Sequence, residues 1–202
     1  METETTNKCS VEILLEFFEV CFHSILYIRK VYPPSIFTLK KKYNVPVHIS
    51  LYPDLNFYIS NVLKSVKKFL MMNKLLQLSL WILDSSLKPV EKFVFNNFNI
   101  NSSFIGNHSD MSNLLLLEES FRAFCLKLST SDYILKPIPD NSSFKIYVKT
   151  EGSILTDMYE DPTFETFPWI TEDNISENEL HEISPLVSLR TPNFQFETYV
   201  EI

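Results

Sequence analysis

The segment from Val11 to Tyr32 has a helical repeat of apolar residues that is too wide for a helix lying on a protein surface. A surface helix has one apolar stripe, in which apolar residues recur every three or four positions. Here a first stripe is flanked by a second apolar set. The sequence therefore predicts a helix that is buried on more than one side, and Pro33 and Pro34 are expected to end it because proline lacks the amide donor. The stripe comprises Val11, Leu14, Leu15, Phe18, Phe22, Ile25 and Ile28, and the second set comprises Ile13, Phe17, Val20, Leu26 and Tyr27.

A loop and a short extended segment are predicted after this helix. The loop holds three consecutive lysines at 40–42, which could contact phosphate, but in an acidic protein a solvated loop is the better interpretation. Residues 45–51 form the extended segment. A second, amphipathic helix is expected to start at Pro53, since proline suits the first helical position and Asp54 suits the positive end of the helix dipole.

The middle of the chain changes to strand patterns and back. Residues 76–83 and 90–95 are rich in strand formers and predict an antiparallel hairpin. Asp110 or Ser112 can cap a third helix, and residues 144–150 alternate apolar and polar side chains as a strand does. The predicted order is helix, helix, hairpin, helix, strand.

Beyond Glu151 the chain changes character. It has no sustained helical repeat and carries an acidic run between Glu172 and Glu182. Long segments without regular structure are usually functional or disordered, and disorder is disfavoured because large aromatic groups are too frequent for a solvated tail. We therefore expect irregular strands wrapped over the core. The tail contains Pro162, Pro168, Pro185 and Pro192, and the aromatic residues Tyr159, Phe164, Phe167, Trp169, Phe194, Phe196 and Tyr199.

Charge and composition limit the classes of partner. The formal net charge is -7 and the sequence pI is about 5.1, so the average surface would repel a nucleic-acid backbone. We expect no direct nucleic-acid binding. No segment has the length and apolarity of a membrane span, and the three cysteines lack CxxC spacing. These features predict a soluble intracellular protein in a reducing compartment.

Few residues suit enzyme chemistry. The chain has 2 glycines, so neither common phosphate-binding glycine loop can be written. Cys21 and His23 would point in divergent directions from one helix, unlike a nucleophile and its base, and the adjacent Glu118 and Glu119 lie on different helix faces. We expect no catalytic residue, no cofactor and no metal site. A small hydrolase, the remaining enzymatic alternative, would need a convergent Cys, His or carboxylate site in a pocket.

Seven segments carry specific motifs. They are FFEVCFHSILYIRKVYPPSIF at 17–37, KKYNVPV at 41–47, LNFYI at 55–59, PVEKFVF at 89–95, RAFCLKLS at 122–129, FPWI at 167–170 and YVE at 199–201. Together they resemble the HORMA-domain accessory subunit of DNA polymerase zeta, also described as mitotic-arrest-deficient-like protein B. The resemblance covers nearly the whole chain, and the YNVPV and PVEKFVF segments favour this subunit over the checkpoint and meiotic relatives of the same fold.

This resemblance implies an α+β fold, a single HORMA domain over residues 1–202 in which three helices pack on an antiparallel sheet. The core would cover about residues 8–150, and about residues 151–202 would form a safety belt, a segment that closes around an extended, proline-containing peptide. In the family the peptide comes from the catalytic subunit of DNA polymerase zeta, and a Y-family scaffold polymerase binds the surface of the closed belt. The resemblance thus implies a non-catalytic adaptor in translesion synthesis and DNA damage tolerance, expected in the nucleus, with the cytoplasm as a second location.

Candidate binding residues follow from the matching motifs. The resemblance assigns the peptide contact to Tyr32, Tyr58, Trp169 and Ile170, although the three aromatic residues would also suit an ordinary core. It assigns the scaffold-polymerase contact to Ile183, Leu186, Glu197 and Tyr199. Glu197 departs from the vertebrate pattern, which has glutamine there. Because a carboxylate cannot donate the amide hydrogen bond, this contact is expected to be lost or re-paired with a basic residue.

Two further partners and one alternative function are implied by the same resemblance. Arg122 and Lys127 lie on the helix that relatives use for HORMA self-pairing, although Arg122 could instead form a surface ion pair with Glu118. An AAA+ ATPase would remodel the belt. The alternative function is a cell-cycle checkpoint regulator that acts on the anaphase-promoting complex.

Overall fold

Three helices and eight strands make up the described part of the computed structural model. The described residues are 2–100, 110–151, 167, 169–170, 180, 182–191 and 194–202, and of residues 2–10, 100 and 110–113 only the backbone is described. Among the described helices, none is long and apolar enough to cross a membrane. The elements are α1 (Glu2–Ile28), β1 (Phe37–Lys42), β2 (Val45–Ser50), α2 (Pro53–Met71), β3 (Leu75–Leu83), β4 (Pro89–Ile100), α3 (Asp110–Thr130), β5 (Ser143–Thr150), β6 (Ile183–Pro185), β7 (Leu189–Arg190) and β8 (Phe194–Glu201), with short 3-10 turns at Pro34–Ile36 and Ser131–Tyr133.

Helix α1 is buried on more than one side, which confirms the prediction from its wide apolar repeat. Phe17, Phe18 and Phe22 are fully buried and belong to one core cluster. Phe17 stacks on Phe121 of α3 with ring centroids 4.1 Å apart. The helix therefore lies at the centre of the domain, with its apolar side chains reaching both the other helices and the sheet.

The end of α1 differs from the prediction, because the helix stops at Ile28 and not at the prolines. Lys30 has a positive φ of 55°, and the Val31 amide donates to the Leu26 carbonyl at 3.1 Å. This is a Schellman-type end, in which one left-handed residue turns the chain and satisfies the last carbonyls. Pro33 follows several residues later and blocks any continuation of the helix.

The predicted lysine loop is wrong, because residues 37–42 form strand β1, which pairs with β2 in a separate two-stranded hairpin. The turn consists of Tyr43 and Asn44, whose φ values are 49° and 59°. Two consecutive positive φ values define the turn type whose twist matches a tight antiparallel hairpin. Strand β1 alternates less clearly than a buried strand, since Leu39 is exposed and the lysines extend into solvent.

The main sheet has six strands, with the order β5-β3-β4-β8-β6, and β7 also pairs with β8. All described pairings are antiparallel. The helices cover the face that carries the apolar residues of β3, β4, β5 and β8, so the predicted α+β architecture is confirmed. The buried residues of this face include Leu78, Leu80, Ile82, Phe93, Phe95, Ile146, Phe196 and Val200.

Strand β8 shows that the described end of the tail is regular, where irregular strands were expected. Its residues alternate between buried and more exposed positions, and it lies between β4 and β6 inside the sheet. On the face opposite the helices, Lys92 is buried at 3% exposure, lies 3.3 Å from Glu201 of β8, and stands over the ring of Trp81. A buried cation needs such partners. Strand β8 is thus held by side-chain contacts on both faces of the sheet.

His23 is a buried polar group in α1 that the core does not satisfy. The side chain is 1% exposed, neither ring nitrogen has a hydrogen-bond partner in the described part of the chain, and Glu19 Oε1 lies 4.0 Å away. Burial and, to a smaller extent, the charge of Lys40 together lower the pKa of His23 from its ordinary 6.5 to about 4. The neutral ring is therefore the form that fits the folded protein.

This pKa predicts an acid-sensitive contribution to stability. Between pH 6.5 and about 4 the unfolded chain binds a proton at His23 that the folded protein excludes, so the free energy of unfolding falls as the pH falls through this window, by up to about 3 kcal/mol. His23→Leu should flatten that part of the pH profile. Urea unfolding from pH 7 to 4 measures the effect, and an equally steep loss in the variant would assign the acid sensitivity to other groups.

Candidate functional site

Three aromatic residues singled out in the sequence lie in one continuous row of rings. We call this the aromatic row: Tyr32, Phe144, Tyr58, Phe167, Trp169 and Phe69. Successive ring centroids in this order are 6.1, 5.6, 5.6, 4.8 and 6.3 Å apart. The row joins the segment after α1, strand β5, helix α2 and residues 167–169. All of its members except the buried Phe69 are half-buried, so their rings line a surface as well as contacting each other.

Helix α2 presents two polar atoms to this row. The Trp169 indole donates a hydrogen bond from Nε1 to Ser65 Oγ at 3.0 Å. The Ile146 backbone amide donates to the Tyr58 oxygen, which lowers the pKa of that phenol, while burial has the larger effect and raises it. Burial also raises the pKa of Tyr32. Both phenols therefore stay protonated and can donate hydrogen bonds as well as accept them.

The aromatic row runs beside the terminal strand of the main sheet. Strand β5 pairs with β3 and is the last strand on its side in the described part of the chain. Phe144 belongs to β5, and the Tyr58 oxygen reaches the Ile146 amide on the same strand. An exposed strand edge next to aromatic side chains is the arrangement by which many domains bind an extended peptide, since the edge supplies main-chain hydrogen bonds and the side chains supply pockets.

Ile170, the fourth residue assigned to peptide contact, is not part of the aromatic row. Ile170 is 88% exposed, whereas its neighbour Trp169 is half-buried against α2. Phe144, Phe167 and Ser65 were not assigned a role from the sequence, although Phe167 is the first residue of the FPWI motif and Phe144 is the first apolar residue of its strand. Tyr159 and Phe164, also expected in the tail, lie outside the described residues.

The residues assigned to a scaffold polymerase lie on or beside strands β6 and β8, and we call them the β6–β8 surface: Ile183, Leu186, Glu197 and Tyr199. Of these, the half-buried Leu186 packs against the core. Pro185 of β6 pairs with Tyr199 of β8, and the Leu186 amide donates to the Thr198 carbonyl at 3.0 Å. Ile183 is 63% exposed. The Asn97 side chain donates to Glu197 Oε2 at 3.0 Å, so this carboxylate pairs with an amide of its own domain and not with a basic residue.

Helix α3 carries the two residues assigned to self-pairing. Arg122 is half-buried, and its guanidinium lies 3.9 Å from Glu119, so the expected partner Glu118 is wrong. The carboxylate three positions away, rather than four, faces the arginine. Lys127 lies five residues further along and is exposed, as are Leu115 and Leu126.

A buried arginine joins three elements near the Tyr32 end of the aromatic row. Arg29 is 3% exposed and donates to both carboxylate oxygens of Glu91, from Nε at 2.9 Å and from Nη2 at 2.6 Å. It also donates to the Asp132 carboxylate and to the Lys136 carbonyl. Burial raises the pKa of Glu91, and the hydrogen bond from Arg29 opposes that rise.

A cavity of about 500 Å³ lies between the segments that Arg29 connects. Its lining includes residues 28–34 and residues 137–142, together with Asp132 and Leu135, and contains neither Cys nor His. In the described part of the chain, no group of three or more His, Cys, Asp or Glu side chains could hold a metal ion. The cavity is thus lined by proline rings and other apolar side chains, together with several charged and polar groups.

Comparison with known proteins agrees with this geometry. A family model described as HORMA domain matches residues 10–166. The chain belongs to the HORMA-domain family. The human "Mitotic spindle assembly checkpoint protein MAD2B" is 38% identical over 194 residues, which cover 94% of this chain and 89% of that protein, and this relationship places the chain in the MAD2B branch of the family. The Drosophila melanogaster "DNA polymerase zeta subunit 2" is 28% identical over 164 residues, which cover 81% of each protein.

Solved HORMA structures show the same fold at low sequence identity. A chain in the crystal structure of the mitotic checkpoint complex superposes with a TM-score of 0.77 at 21% identity, covering 95% of this chain and 97% of that one. Caenorhabditis elegans HTP-2, in a structure where it is bound to the HIM-3 closure motif, superposes with a TM-score of 0.68 at 13% identity, covering 95% and 89%.

The hydrogen bond between Trp169 and Ser65 predicts a measurable local effect. Ser65→Ala removes the acceptor, which should weaken the docking of residues 167–169 on α2 by about 1 kcal/mol, or roughly fivefold. Hydrogen exchange at the Trp169 amide should therefore become about fivefold faster, while core amides of β3 keep their rates. Ser60→Ala, an exposed serine on the same helix, is the control. Unchanged exchange in Ser65→Ala would mean that ring contacts alone hold Trp169.

Proposed function

We propose that this HORMA protein is a non-catalytic adaptor of DNA polymerase zeta, which traps a proline-containing peptide of the catalytic subunit beside β5. The observation that carries the proposal is the aromatic row along the terminal strand of the sheet. The names of its relatives in Drosophila and human, and of the closure-motif complex of HTP-2, support a peptide-binding adaptor of this class.

The chemistry of the row suits an extended peptide that contains proline. Rigid aromatic rings give large contacts at low entropic cost and pack well against proline rings. The edge of β5 offers main-chain groups for the peptide segments between its prolines, as in β-strand addition. Tyr58 lies at this edge. Its phenol and the peptide main chain would therefore either compete for the main-chain hydrogen-bonding groups of β5 or share them.

In this proposal about residues 151–202 act as a safety belt over the bound peptide. Trp169 and Phe167 would be the belt's contacts with the peptide, while β8 fixes the end of the belt in the sheet through its pairing with β4. Because release would require the belt to open, dissociation should be slow. An AAA+ ATPase would supply the work of opening, and the complex would act in the nucleus.

The proposal extends to two surfaces outside the peptide site. The β6–β8 surface would bind a Y-family scaffold polymerase, with exposed Ile183 and half-buried Tyr199 as the apolar contacts. The exposed face of α3 around Arg122 and Lys127 would serve pairing with another HORMA domain. Tyr199 lies on the sheet face opposite the core, so its substitution is compatible with an intact fold.

Cell-cycle control is the second candidate function. It is favoured by the name of the human relative, a spindle assembly checkpoint protein, and by the match to a chain of the mitotic checkpoint complex. Affinity purification of the full chain from its own cells, followed by mass spectrometry, distinguishes the two. A co-purifying B-family polymerase catalytic subunit supports the adaptor, whereas anaphase-promoting complex subunits without a polymerase would support the checkpoint function.

Trp169→Ala should speed peptide release much more than it slows capture. Loss of an interfacial aromatic anchor costs about 2 kcal/mol, or roughly 30-fold, and such losses fall mainly on the dissociation rate. Surface-binding kinetics with a fluorescent proline-containing fragment of the same species' catalytic subunit measure both rates. Phe57→Ala, whose ring is 69% exposed on α2, is the matched control. Equal dissociation rates for wild type and Trp169→Ala would remove Trp169 from the peptide site.

Tyr199→Ala should weaken binding of the Y-family polymerase by roughly 30-fold or more without changing peptide release. The Tyr199 ring is an aromatic anchor on an otherwise polar strand face, so its loss should weaken binding by about 2 kcal/mol or more. Calorimetry with the polymerase's interacting domain measures this, with Gln195→Ala on the same strand as the control. Glu197→Gln tests the position at which this chain departs from the vertebrate glutamine. Tighter binding of the polymerase is expected because the amide restores a hydrogen-bond donor. Full binding by Tyr199→Ala would contradict the assignment of this surface.

A further inference from the structure

The cavity near Tyr32 is continuous with the aromatic row. Tyr32 lines the cavity and also contacts Phe144, the next ring of the row. Ser142, at the other side of the cavity, immediately precedes strand β5. A peptide that runs along the edge of β5 and past Phe144 would therefore enter this cavity with its next residues. At about 500 Å³ the cavity has the size of a small-ligand pocket. It therefore has room for a short stretch of extended peptide.

The two walls of the cavity are irregular segments that no strand pairing joins in the described part of the chain. One wall is residues 28–34, which follow the left-handed turn at Lys30. The other is residues 132–142, which connect α3 to β5. Prolines line both walls, so each wall is locally stiff, but stiffness alone does not fix the distance between them. They are Pro33, Pro34, Pro137 and Pro139.

Arg29 supplies the connection between these walls. Its guanidinium donates to Glu91 at the start of β4 with two hydrogen bonds, and to Asp132 and the Lys136 carbonyl in the opposite wall. A guanidinium has five N–H donors in a rigid plane, so one side chain can hold three acceptors at fixed angles. The Glu91 carboxylate anchors the arginine to the sheet, because both side chains are almost completely buried.

We infer that Arg29 is a positioning residue for peptide capture. By bonding Glu91, Asp132 and the Lys136 carbonyl together, it holds the walls at the spacing that lets the cavity receive the end of the peptide that passes Tyr32. The inference rests on the proposed function, and it adds to the aromatic row a second subsite, whose lining is both polar and apolar. In the far wall, Asn141 offers side-chain hydrogen bonds to the main chain of an extended peptide, whose amides and carbonyls need partners once they leave the strand edge. The Ser142 hydroxyl, which donates to the Pro139 carbonyl at 2.6 Å, can accept one more hydrogen bond.

The inference predicts an effect that depends on which end of the peptide is present. The probes are the tightest-binding proline-containing fragment of the same species' polymerase catalytic subunit and two shortened forms, each lacking three residues at one end. Arg29→Lys keeps the charge, but its single nitrogen cannot reproduce the planar two-bond contact with Glu91 and still reach both acceptors of the far wall. Asp132→Asn weakens only the far wall and leaves the buried pair with Glu91 intact, so it tests the inference even if Arg29→Lys fails to fold. Lys136→Ala, which retains the carbonyl that Arg29 uses, is the control.

Both variants should release the full fragment about tenfold faster than the wild type does. They should have the same effect on the shortened form that keeps the cavity end, and no effect on the form that lacks it. The control should match the wild type with all three probes. Equal acceleration of both shortened forms, or no acceleration of any, would overturn the positioning role and leave Arg29 a purely structural residue. A wild-type protein that captures none of the fragments would instead overturn the proposed function itself, and the inference with it.

Discussion

The contact between the phenylalanines of α1 and strand β8 is the interaction on which the rest of the structure depends. Phe17 and Phe18 both lie 6.0 Å from Phe196, and Phe18 also contacts Phe95 of β4. Helix α1 thus packs both on β4, in the middle of the sheet, and on β8. Because a large buried aromatic group removes much apolar surface from water, β8 is a necessary part of the core and not an appended tail.

The position of β8 also determines which edge of the sheet is left for the proposed partner. With β8 and β6 on one side of β4, β5 is the terminal strand on the opposite side of the sheet among the described residues. The aromatic row and the cavity near Tyr32 both lie along that end. The surface assigned to a second protein is formed by β8 and β6, which lie three and four strand positions away from β5. Two partners could therefore be held on opposite sides of one sheet without competing for the same residues.

Local periodicity explains which secondary-structure elements can be predicted from the sequence. Helices α1, α2 and α3, the β3–β4 hairpin and β5 have regular apolar repeats, so their existence followed from short-range pattern. Strand β1 was missed because its turn uses Tyr43 and Asn44 in place of the usual Asn-Gly or Asp-Gly. The regularity of strand β8 is not visible in the sequence because its partner strand is distant along the chain, as the hydrogen bond between Asn97 and Glu197 illustrates.

The candidate site was only partly predictable for the same reason. Tyr32, Tyr58 and Trp169 were named from motifs, and the fold brings all three into one row. Phe144 joins them through tertiary packing, which no local pattern encodes. Arg29 looks like an ordinary cation at a helix end, and its role as a buried link emerges only when Glu91 and Asp132, far apart in sequence, meet it in space.

Hydrogen exchange of the full chain with and without the polymerase catalytic subunit tests the central claim most directly, since it maps the occupied edge on the intact complex. The account predicts protection of β5 (Ser143–Thr150) and of residues 167–170 on binding, with α3 unchanged in a complex that holds a single HORMA domain. Protection confined to β1 and β2, or to α3, with β5 exchanging as in the free protein, would contradict it.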